Sequence, residues 1–396
     1  MRSLAIALCA LFTLPDHAWG ATCADCAPHA LEIEAVYTGE LWRNASGGID
    51  TGNRYLDNLD LTFDADGAQL FGVDGLEIFG YLLYNNGHSI DELSNAAQGI
   101  SNIESTRALR LYELWTEWKF GAQDHSVRFG LYDLNSEFDS IEAAGLFINP
   151  SHGIGPDFSQ SGENGPSIFP VTSLGLRARA NTGAWTFQAA VLDAVPGDPD
   201  HPDRTGMHLS SNEGALLVGE MNYRVASGVR IGTGYWRYTS DFSAIETTGS
   251  TELTRSGNAG AYVLAESPLL LSNENDRGMR VFARTGFAED RINPIHRYYG
   301  AGAVYTGLTA QRPEDQLGFA IAVAKLGAPY IEVQQSNGFS ATRYEYDFEL
   351  TYRLDVNEWL TLQSDVQYMR NPGMDPSLKS AWALGLRFEL GRGWSW

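Results

Sequence analysis

The chain has 396 residues, with 27 lysines and arginines against 49 aspartates and glutamates, so its formal net charge at pH 7 is −22. This acidic balance excludes non-specific nucleic-acid binding, which depends on basic patches. The length is large for one soluble domain but ordinary for one large β-barrel. Downstream of the N-terminus no run of apolar residues is long enough for a spanning helix.

Residues 1–20 have the pattern of a cleaved signal peptide, because an arginine precedes the apolar stretch Leu4–Leu14 and small residues precede the expected cleavage point. Cleavage leaves residues 21–30 as an N-terminal tail that contains Cys23 and Cys26. An oxidising compartment would permit a disulfide between them, and whether they pair stays open. Zinc and redox roles are not favoured, since no second ligand pair and no thioredoxin-like pattern lies nearby.

Residues 31–396 consist of short runs in which apolar and polar residues alternate, with little helical periodicity. In the clearest run, 343–354, aromatic and apolar residues occupy the even positions and mostly charged residues the odd ones. The pattern predicts sixteen strands, each long enough to cross a membrane when tilted. The expected strands are 31–42, 55–65, 76–84, 108–120, 126–134, 171–181, 185–193, 215–225, 229–238, 259–267, 279–289, 299–308, 317–326, 343–354, 359–369 and 379–396.

The connections between these strands alternate between compact and mostly longer segments, as the short periplasmic turns and long extracellular loops of outer-membrane barrels do. We therefore expect an all-β fold: one transmembrane, antiparallel, up-and-down β-barrel of about 16 strands with long extracellular loops, and residues 21–30 in the periplasm. Closure follows because hydrocarbon offers no hydrogen-bond partners to a sheet edge. Aromatic girdles are expected at Trp42, Trp118, Phe120, Tyr235, Tyr344, Trp359, Tyr368 and Trp382.

The longest connection, residues 135–170, has neither strand nor helix periodicity. So long a structureless segment inside a compact domain is normally functional, and we expect it to fold into the barrel mouth and narrow it. Glycines inside strands, among them Gly130, Gly175 and Gly318, would leave room for that loop against the wall. A short helix that carries the QGISNIE segment, 98–104, is expected within 90–105.

Several motifs in and around this connection carry a family resemblance. They are RFGLYDLNSEFD at 128–139, FINPSHGIGPDFSQSG at 147–162, GPSIFP at 165–170, QGISNIE at 98–104, LYELW at 111–115 and the run 282–318. Together they resemble the OprB-type carbohydrate-selective outer-membrane porins. The resemblance implies passive diffusion of small sugars, monosaccharides such as glucose, through a loop-constricted polar pore in the Gram-negative outer membrane. It implies no catalysis, no cofactor and no metal.

Charged residues at the inward positions of the strands are the candidates for pore lining and sugar binding. Guanidinium groups and carboxylates can hydrogen-bond vicinal sugar hydroxyls, and tryptophan rings can cover the apolar face of a pyranose. The candidates are Arg128, Glu113, Glu117, Trp115, Arg177, Arg179, Arg230, Trp236, Arg280 and Arg284, with Glu137, Asp139 and Glu142 from the constriction loop. The inward position of Glu113 depends on a bulge, because the alternation slips between Leu109 and Leu114.

Other readings stay open at this point. The charged wall also suits a general or ion-selective porin without a sugar site. An outer-membrane enzyme acting on lipid is less favoured, since neither H-E-x-x-H nor G-x-S-x-G occurs, and a soluble lectin-like β-protein is a further alternative. The segment 198–203 is either a cation-binding loop or, in the favoured reading, a solvated acidic one.

Expected partners besides sugars are outer-membrane lipids and lipopolysaccharide. The last strand ends at Trp396, which resembles the signal read by the barrel assembly machinery. A homotrimer and a monomer both remain open, and no nucleic acid is expected.

Overall fold

The computed structural model describes residues 29–207, 210, 213–248, 251–271 and 277–396. Most of this chain lies in long antiparallel strands. They are β1 Leu31–Gly48, β2 Gly52–Asp66, β3 Leu76–Gly87, β4 Ala108–Phe120, β5 His125–Tyr132, β6 Ser173–Thr182, β7 Trp185–Asp193, β8 Ala215–Arg224, β9 Arg230–Tyr238, β10 Asp241–Thr248, β11 Thr251–Ser256, β12 Ala259–Leu271, β13 Gly278–Ala288, β14 Ile295–Thr306, β15 Gln316–Leu326, β16 Tyr344–Asn357, β17 Leu360–Arg370 and β18 Lys379–Ser395.

All strands except β10 and β11 form one closed barrel of sixteen strands, in which β9 pairs with β12 and β18 pairs with β1. The closing pair is long and regular over most of its length, with Leu41 opposite Leu386. At its periplasmic end the amide of Trp396 donates to the carbonyl of Leu31, at 3.0 Å. The predicted antiparallel up-and-down barrel is therefore confirmed. The expected signal peptide, Cys23 and most of the tail lie outside the described residues.

The two faces of the barrel wall are reversed relative to a soluble β-protein. On β16 the outward Leu350 is 48% exposed, whereas its inward neighbour Glu349 is 1% exposed. Phe129 and Phe319 are likewise exposed on other strands. An apolar outer surface around a polar interior is what a transmembrane barrel requires, because the outer face contacts lipid and the inner face contacts water or a folded-in loop.

The aromatic girdles are mostly where the alternation places them. Exposed side chains on the outer surface are Trp118, Phe120, Tyr235, Trp359 and Trp382, while Tyr344 and Tyr368 are half-buried on the same face. The prediction for Trp42 is wrong. This ring is 2% exposed and its Nε1 donates to Glu40 at 2.5 Å, because the even positions of β1 face the lumen.

Within the described ranges, helices are few and short. They are α1 Gly67–Phe71, α2 Asp91–Ser94, α3 Pro156–Ser159 and α4 Ala328–Ser336, with 3-10 turns at Leu134–Ser136, Glu142–Leu146, Pro150–His152 and Pro372–Met374. In the described part of the chain, no helix has both the length and the apolar character needed to cross a membrane.

Two connections differ from expectation. The helix expected within 90–105 is only α2, and the left-handed Asn95 (φ 62°) ends it before the QGISNIE motif begins. The connection 239–258, expected to be loop, contains the β10–β11 hairpin. These two strands pair with each other outside the barrel. They therefore lack the alternation of lipid-facing and inward residues from which the barrel strands were predicted.

One inward glycine leaves room for the long loop as expected. A Cβ added at Gly318 would lie 2.7 Å from Cδ2 of Leu146 and 2.8 Å from Cζ of Phe147, two residues of that loop. Gly175 instead contacts Leu192 of the neighbouring strand, and Gly130 adopts φ 144° against the backbone of β4. Only at Gly318, among these three, does the missing side chain make space for the loop.

The substitution Gly318→Val is expected to push the loop away from the wall and towards the pore axis. Overpacking of this kind costs about 1–3 kcal/mol, so both conductance and resistance to heat denaturation should fall. The control is Gly219→Val, where an added Cβ meets nothing within 4 Å. Single-channel recording and the heat-dependent gel shift measure the two effects. Equal conductance in both variants would contradict the packing described here.

Candidate functional site

Residues 133–172, the constriction loop, fold into the barrel between β5 and β6 and pack against several inward faces. Phe158 is fully buried and its ring stacks on Trp236 of β9, with centroids 4.9 Å apart and planes 5° apart. Phe147 packs against Phe282 of β13 at 5.7 Å. These contacts to inward residues of the barrel wall confirm the prediction that this segment enters the barrel.

Carboxylates on the strands accept hydrogen bonds from the backbone of the constriction loop. The amide of Asp139 donates to Glu220 of β8 at 2.8 Å. On the opposite wall, the amides of Ile148 and Asn149 donate to the two oxygens of Glu349 at 2.6 and 3.1 Å. Buried amides need acceptors, and an irregular loop has none of its own. These side chains therefore substitute for the missing sheet partners.

The bulge predicted in β4 contributes a further anchor of the same kind. Tyr81 of β3 lies opposite Glu113, and the next residue of β3 lies opposite Leu111, so Tyr112 is the extra residue. The bulge turns Glu113 inward, where it accepts the amide of Asp133 at 3.0 Å. The sequence-based expectation of a parity slip is thus confirmed.

Arg284 of β13 joins two parts of the constriction loop. Its Nε donates to Asp139 at 2.8 Å and its Nη2 donates to Asp157 at 3.3 Å, with shorter contacts to both carboxylates. The side chain is only 4% exposed. A guanidinium in this geometry binds planar carboxylates in fixed orientation, so Arg284 ties both ends of the loop's central turn to one strand.

A second charged cluster lies at the other side of the lumen. Arg128 and Arg177 both donate to Glu117, with closest distances of 2.6 and 2.9 Å. Arg177 also donates to Glu137 of the constriction loop at 2.6 Å, and Arg179 makes a short contact to the same carboxylate. Arg177 has no exposed side-chain surface. The cluster therefore anchors the beginning of the loop to β4, β5 and β6.

The two tryptophans proposed for sugar stacking are already covered. Trp115 stacks on Phe79 with centroids 5.0 Å apart, and the guanidinium carbon of Arg128 lies 3.7 Å from the ring centroid on its face. Trp236 has no exposed surface because Phe158 stacks on it. Both rings belong to the packing beneath the constriction loop.

Other predicted charges keep contact with solvent. The closest nitrogen of Arg280 lies 3.5 Å from Glu142 of the constriction loop, and their side chains are 30% and 43% exposed. Arg230 of β9 donates to Glu266 at 2.7 Å, and the guanidinium is 13% exposed. The Arg280–Glu142 pair is the most accessible of the predicted set, so a solute at the constriction can reach it.

A second inward loop, residues 88–107, supports the constriction loop from behind. Glu345 of β16 accepts the amides of Ala97 and Gln98, both at 2.9 Å. The amide of Asn102 donates to the carbonyl of Ile148 at 2.9 Å. This role was missed by sequence reasoning, although the QGISNIE motif marked the segment.

A further charged group on β16, β18 and β1 was also missed. Arg387 donates to Glu40 at 2.7 Å, and Arg353 lies 3.7 Å from Glu389. The sequence did contain a signal for them. Side chains two positions away on the same strand also face inward, so the alternation places these charges in the lumen. They place cations on the wall opposite the cluster around Arg177.

His152 of the constriction loop lies in an apolar setting. It is 4% exposed between Phe147 and Phe282, and neither ring nitrogen has a hydrogen-bond partner among the described residues. Its Nε2 lies 3.8 Å from Glu349. Burial lowers the pKa of His152 to about 3, so the ring is neutral at physiological pH.

The acidic segment 198–203 forms internal contacts on the extracellular side. Asp198 lies 2.9 Å from the ring of His201 and 3.3 Å from Arg204. Across the described ranges, no group of three or more His, Cys, Asp or Glu side chains is arranged to hold a metal ion.

Replacement of Glu349 by alanine should release the constriction loop from β16. Two buried amides would lose their acceptor, at about 1–3 kcal/mol each, so the loop should move and single-channel conductance should rise. Leu350→Ala, on the lipid face of the same strand, is the matched control. Unchanged conductance in a correctly folded Glu349→Ala barrel would show that this anchor does not position the loop.

The depressed pKa of His152 predicts a specific acid sensitivity. Below pH 6.5 His152 is protonated in the unfolded chain, but in the folded protein it stays neutral until about pH 3. The free energy of unfolding therefore falls as the pH drops through this window. The slope approaches about 1.4 kcal/mol per pH unit. His152→Leu should make the decline shallower, and the exposed His201→Leu should not. Urea unfolding between pH 7 and 4 measures the difference, and parallel declines in wild type and His152→Leu would refute it.

Comparison with known proteins agrees with this geometry. The model of the carbohydrate-selective porin, OprB family, matches residues 50–391. Porin B of Pseudomonas aeruginosa is 25% identical over 415 residues, covering 94% of this chain and 89% of that protein. The high-pH structure of Pseudomonas putida OprB superposes with a TM-score of 0.82 at 20% identity, covering 92% and 94% of the two chains.

A more distant likeness extends to other outer-membrane channels. The channel DcaP of Acinetobacter baumannii superposes with a TM-score of 0.56 at 12% identity, covering 91% of this chain and 97% of that one. At this identity the likeness concerns the fold alone. The match of the family model over most of the chain decides the assignment. The chain therefore belongs to the OprB family of carbohydrate-selective porins and is an integral protein of the Gram-negative outer membrane.

Proposed function

We propose that the pore passes monosaccharides such as glucose down their gradient, and that they bind transiently at the exposed Arg280–Glu142 pair, with the mostly buried Arg230–Glu266 pair as a second contact. The observation that carries this proposal is the difference in accessibility among the charged residues of the lumen. Most guanidinium groups are buried in contacts to the constriction loop, whereas the side chains of Arg280 and Glu142 are 30% and 43% exposed.

The chemistry of these pairs suits a neutral polyhydroxylated solute. A guanidinium donates to sugar oxygens and a carboxylate accepts from sugar hydroxyls, so one sugar can bridge both groups of a pair. Because each cation lies beside an anion, the local net charge is small, which favours a neutral solute over a free ion. Each bond to the sugar replaces a bond to water or to the partner group, so binding stays weak enough for exit.

We assign the buried candidates to shaping the pore. Arg284 and the pairs around it set where the constriction loop lies, and through the loop they set the position of Glu142. The covered rings of Trp115 and Trp236 fill the space behind the loop. The shaping residues are Arg128, Glu113, Glu117, Trp115, Arg177, Arg179, Trp236, Arg284, Glu137 and Asp139.

The proposal is a channel function without a chemical step. Sugar movement needs a polar path and a gradient, and neither a nucleophile nor a cofactor enters the mechanism. For assembly we propose that the barrel assembly machinery reads the C-terminal strand that ends at Trp396, and that the outer wall contacts lipids and lipopolysaccharide. The pore lies within one barrel, so the proposal holds for a monomer and for each subunit of a homotrimer.

Sugar titration of single-channel current tests the proposed site. Current through the wild-type pore should fall saturably with glucose but not with an uncharged linear polyol at equal osmolality. Arg280→Ala should raise the half-saturating glucose concentration roughly tenfold, since it removes a charged hydrogen-bond donor. Lys119→Ala is the matched control, because Lys119 belongs to another partly exposed pair, 2.8 Å from Glu77.

The alternative of an ion-selective porin makes the opposite prediction. It predicts stable current steps that no sugar reduces beyond the effect of osmolality. Equal glucose affinity in wild type and Arg280→Ala would retain a sugar porin but move the contact away from the Arg280–Glu142 pair.

A further inference from the structure

Three lipid-facing cations lie together at one end of the neighbouring strands β14 to β17. On β14, β15 and β17 the last outward position on the extracellular side is Arg297, Lys325 or Arg370. Between them on β16 lie the outward rings of Tyr344 and Tyr346. We call these five residues the extracellular cationic patch. The end is extracellular because the long connections emerge there, as in other outer-membrane barrels.

Among the residues that the structure describes, no carboxylate balances the charge of the patch. Every outward position of β14 to β17 is described, and none of them holds a carboxylate. Within the described part of the chain, none of Arg297, Lys325 and Arg370 forms an ion pair with a carboxylate. The chain as a whole carries more carboxylates than cations, so a surface with cations and no carboxylate is not expected from its composition.

Two of the cations lie directly opposite each other. Arg297 of β14 is the cross-strand partner of Lys325 of β15, and both side chains point to the lipid side. Like charges at such positions destabilise a sheet, and the low dielectric of the adjoining hydrocarbon strengthens the repulsion. An anion placed between the two groups would convert the repulsion into two charge-assisted contacts.

Aromatic rings contact two of the three cations at the level of the membrane surface. Nζ of Lys325 lies 5.7 Å from the ring centroid of Tyr344, and Cζ of Arg370 lies 5.7 Å from that of Tyr346. Tyrosines on the outer surface of a barrel mark the interface between hydrocarbon and water. The cations are therefore at the depth where lipid headgroups, and not acyl chains, contact the wall.

The opposite end of the same strands differs. There the outward positions include Tyr305, Leu317, Val356 and Leu360, and no cation. Generic anchoring by long basic side chains would serve both interfaces equally. A patch confined to the extracellular end points to a lipid confined to the outer leaflet. We propose that the extracellular cationic patch binds the phosphate groups of a phosphorylated outer-leaflet glycolipid, lipopolysaccharide, through its lipid A part.

Native mass spectrometry of the full-length barrel in detergent, titrated with diphosphorylated lipid A, tests the proposal. The double variant Arg297→Ser/Lys325→Ser should bind lipid A at least about tenfold more weakly, since each cation near an anionic lipid contributes roughly fivefold in affinity. The matched control is Arg237→Ser/Arg392→Ser, which removes exposed cations from the lipid face of other strands. The control should stay close to wild-type affinity.

Three results would overturn the proposal. They are equal binding of dephosphorylated lipid A by the wild-type barrel, equal losses in the two double variants, and complete displacement of lipid A by an equal concentration of inorganic phosphate, which would assign the patch to free anions. The heat-dependent gel shift checks folding of each variant. If the Arg297→Ser/Lys325→Ser barrel does not fold, the comparison of the two lipids on the wild type decides alone. Glucose block of the current should be unchanged in the folded variant, so this test is independent of the sugar site.

Discussion

The constraint on which this structure depends is the burial of irregular backbone inside the barrel. A loop in the lumen brings amides out of water without a sheet ladder to receive them, and an unpaired buried amide is costly. Glu220 and Glu349 supply acceptors from opposite walls, and Glu345 does the same for the loop behind. Inward acidic residues therefore accept the amide hydrogen bonds of the loop, as a neighbouring strand does in a sheet.

The arginines complete this arrangement and separate two roles within one charged lumen. Arg284 and Arg177 are buried in contacts with loop carboxylates, which need such partners because isolated buried charges are unfavourable. Arg280 and Glu142 remain accessible beside the pore. Residues of the same types therefore have two roles in this wall: some hold the constriction loop and others can contact a solute. Burial by the constriction loop decides which role each residue has.

This division explains how far the sequence could predict the structure. Alternation along strands such as 343–354 sufficed for the barrel, and the slip near Leu109 marked the bulge that turns Glu113 inward. Which charged residues are covered depends on where the loop docks, a contact between segments far apart in the chain that no local pattern encodes. Trp236 illustrates the point: its inward position was predictable, but its burial depends on Phe158.

Strand carboxylates hold the constriction loop in the barrel through its backbone amides. Hydrogen–deuterium exchange of the wild-type barrel, resolved at Asp139, Ile148 and Asn149, tests this anchoring most directly. We expect these amides to exchange as slowly as amides of the barrel strands, because they become accessible only when the hydrogen bonds to the carboxylates open. Exchange as fast as that of the extracellular hairpin β10–β11 would contradict the anchoring, since the loop would then be free of the wall in solution.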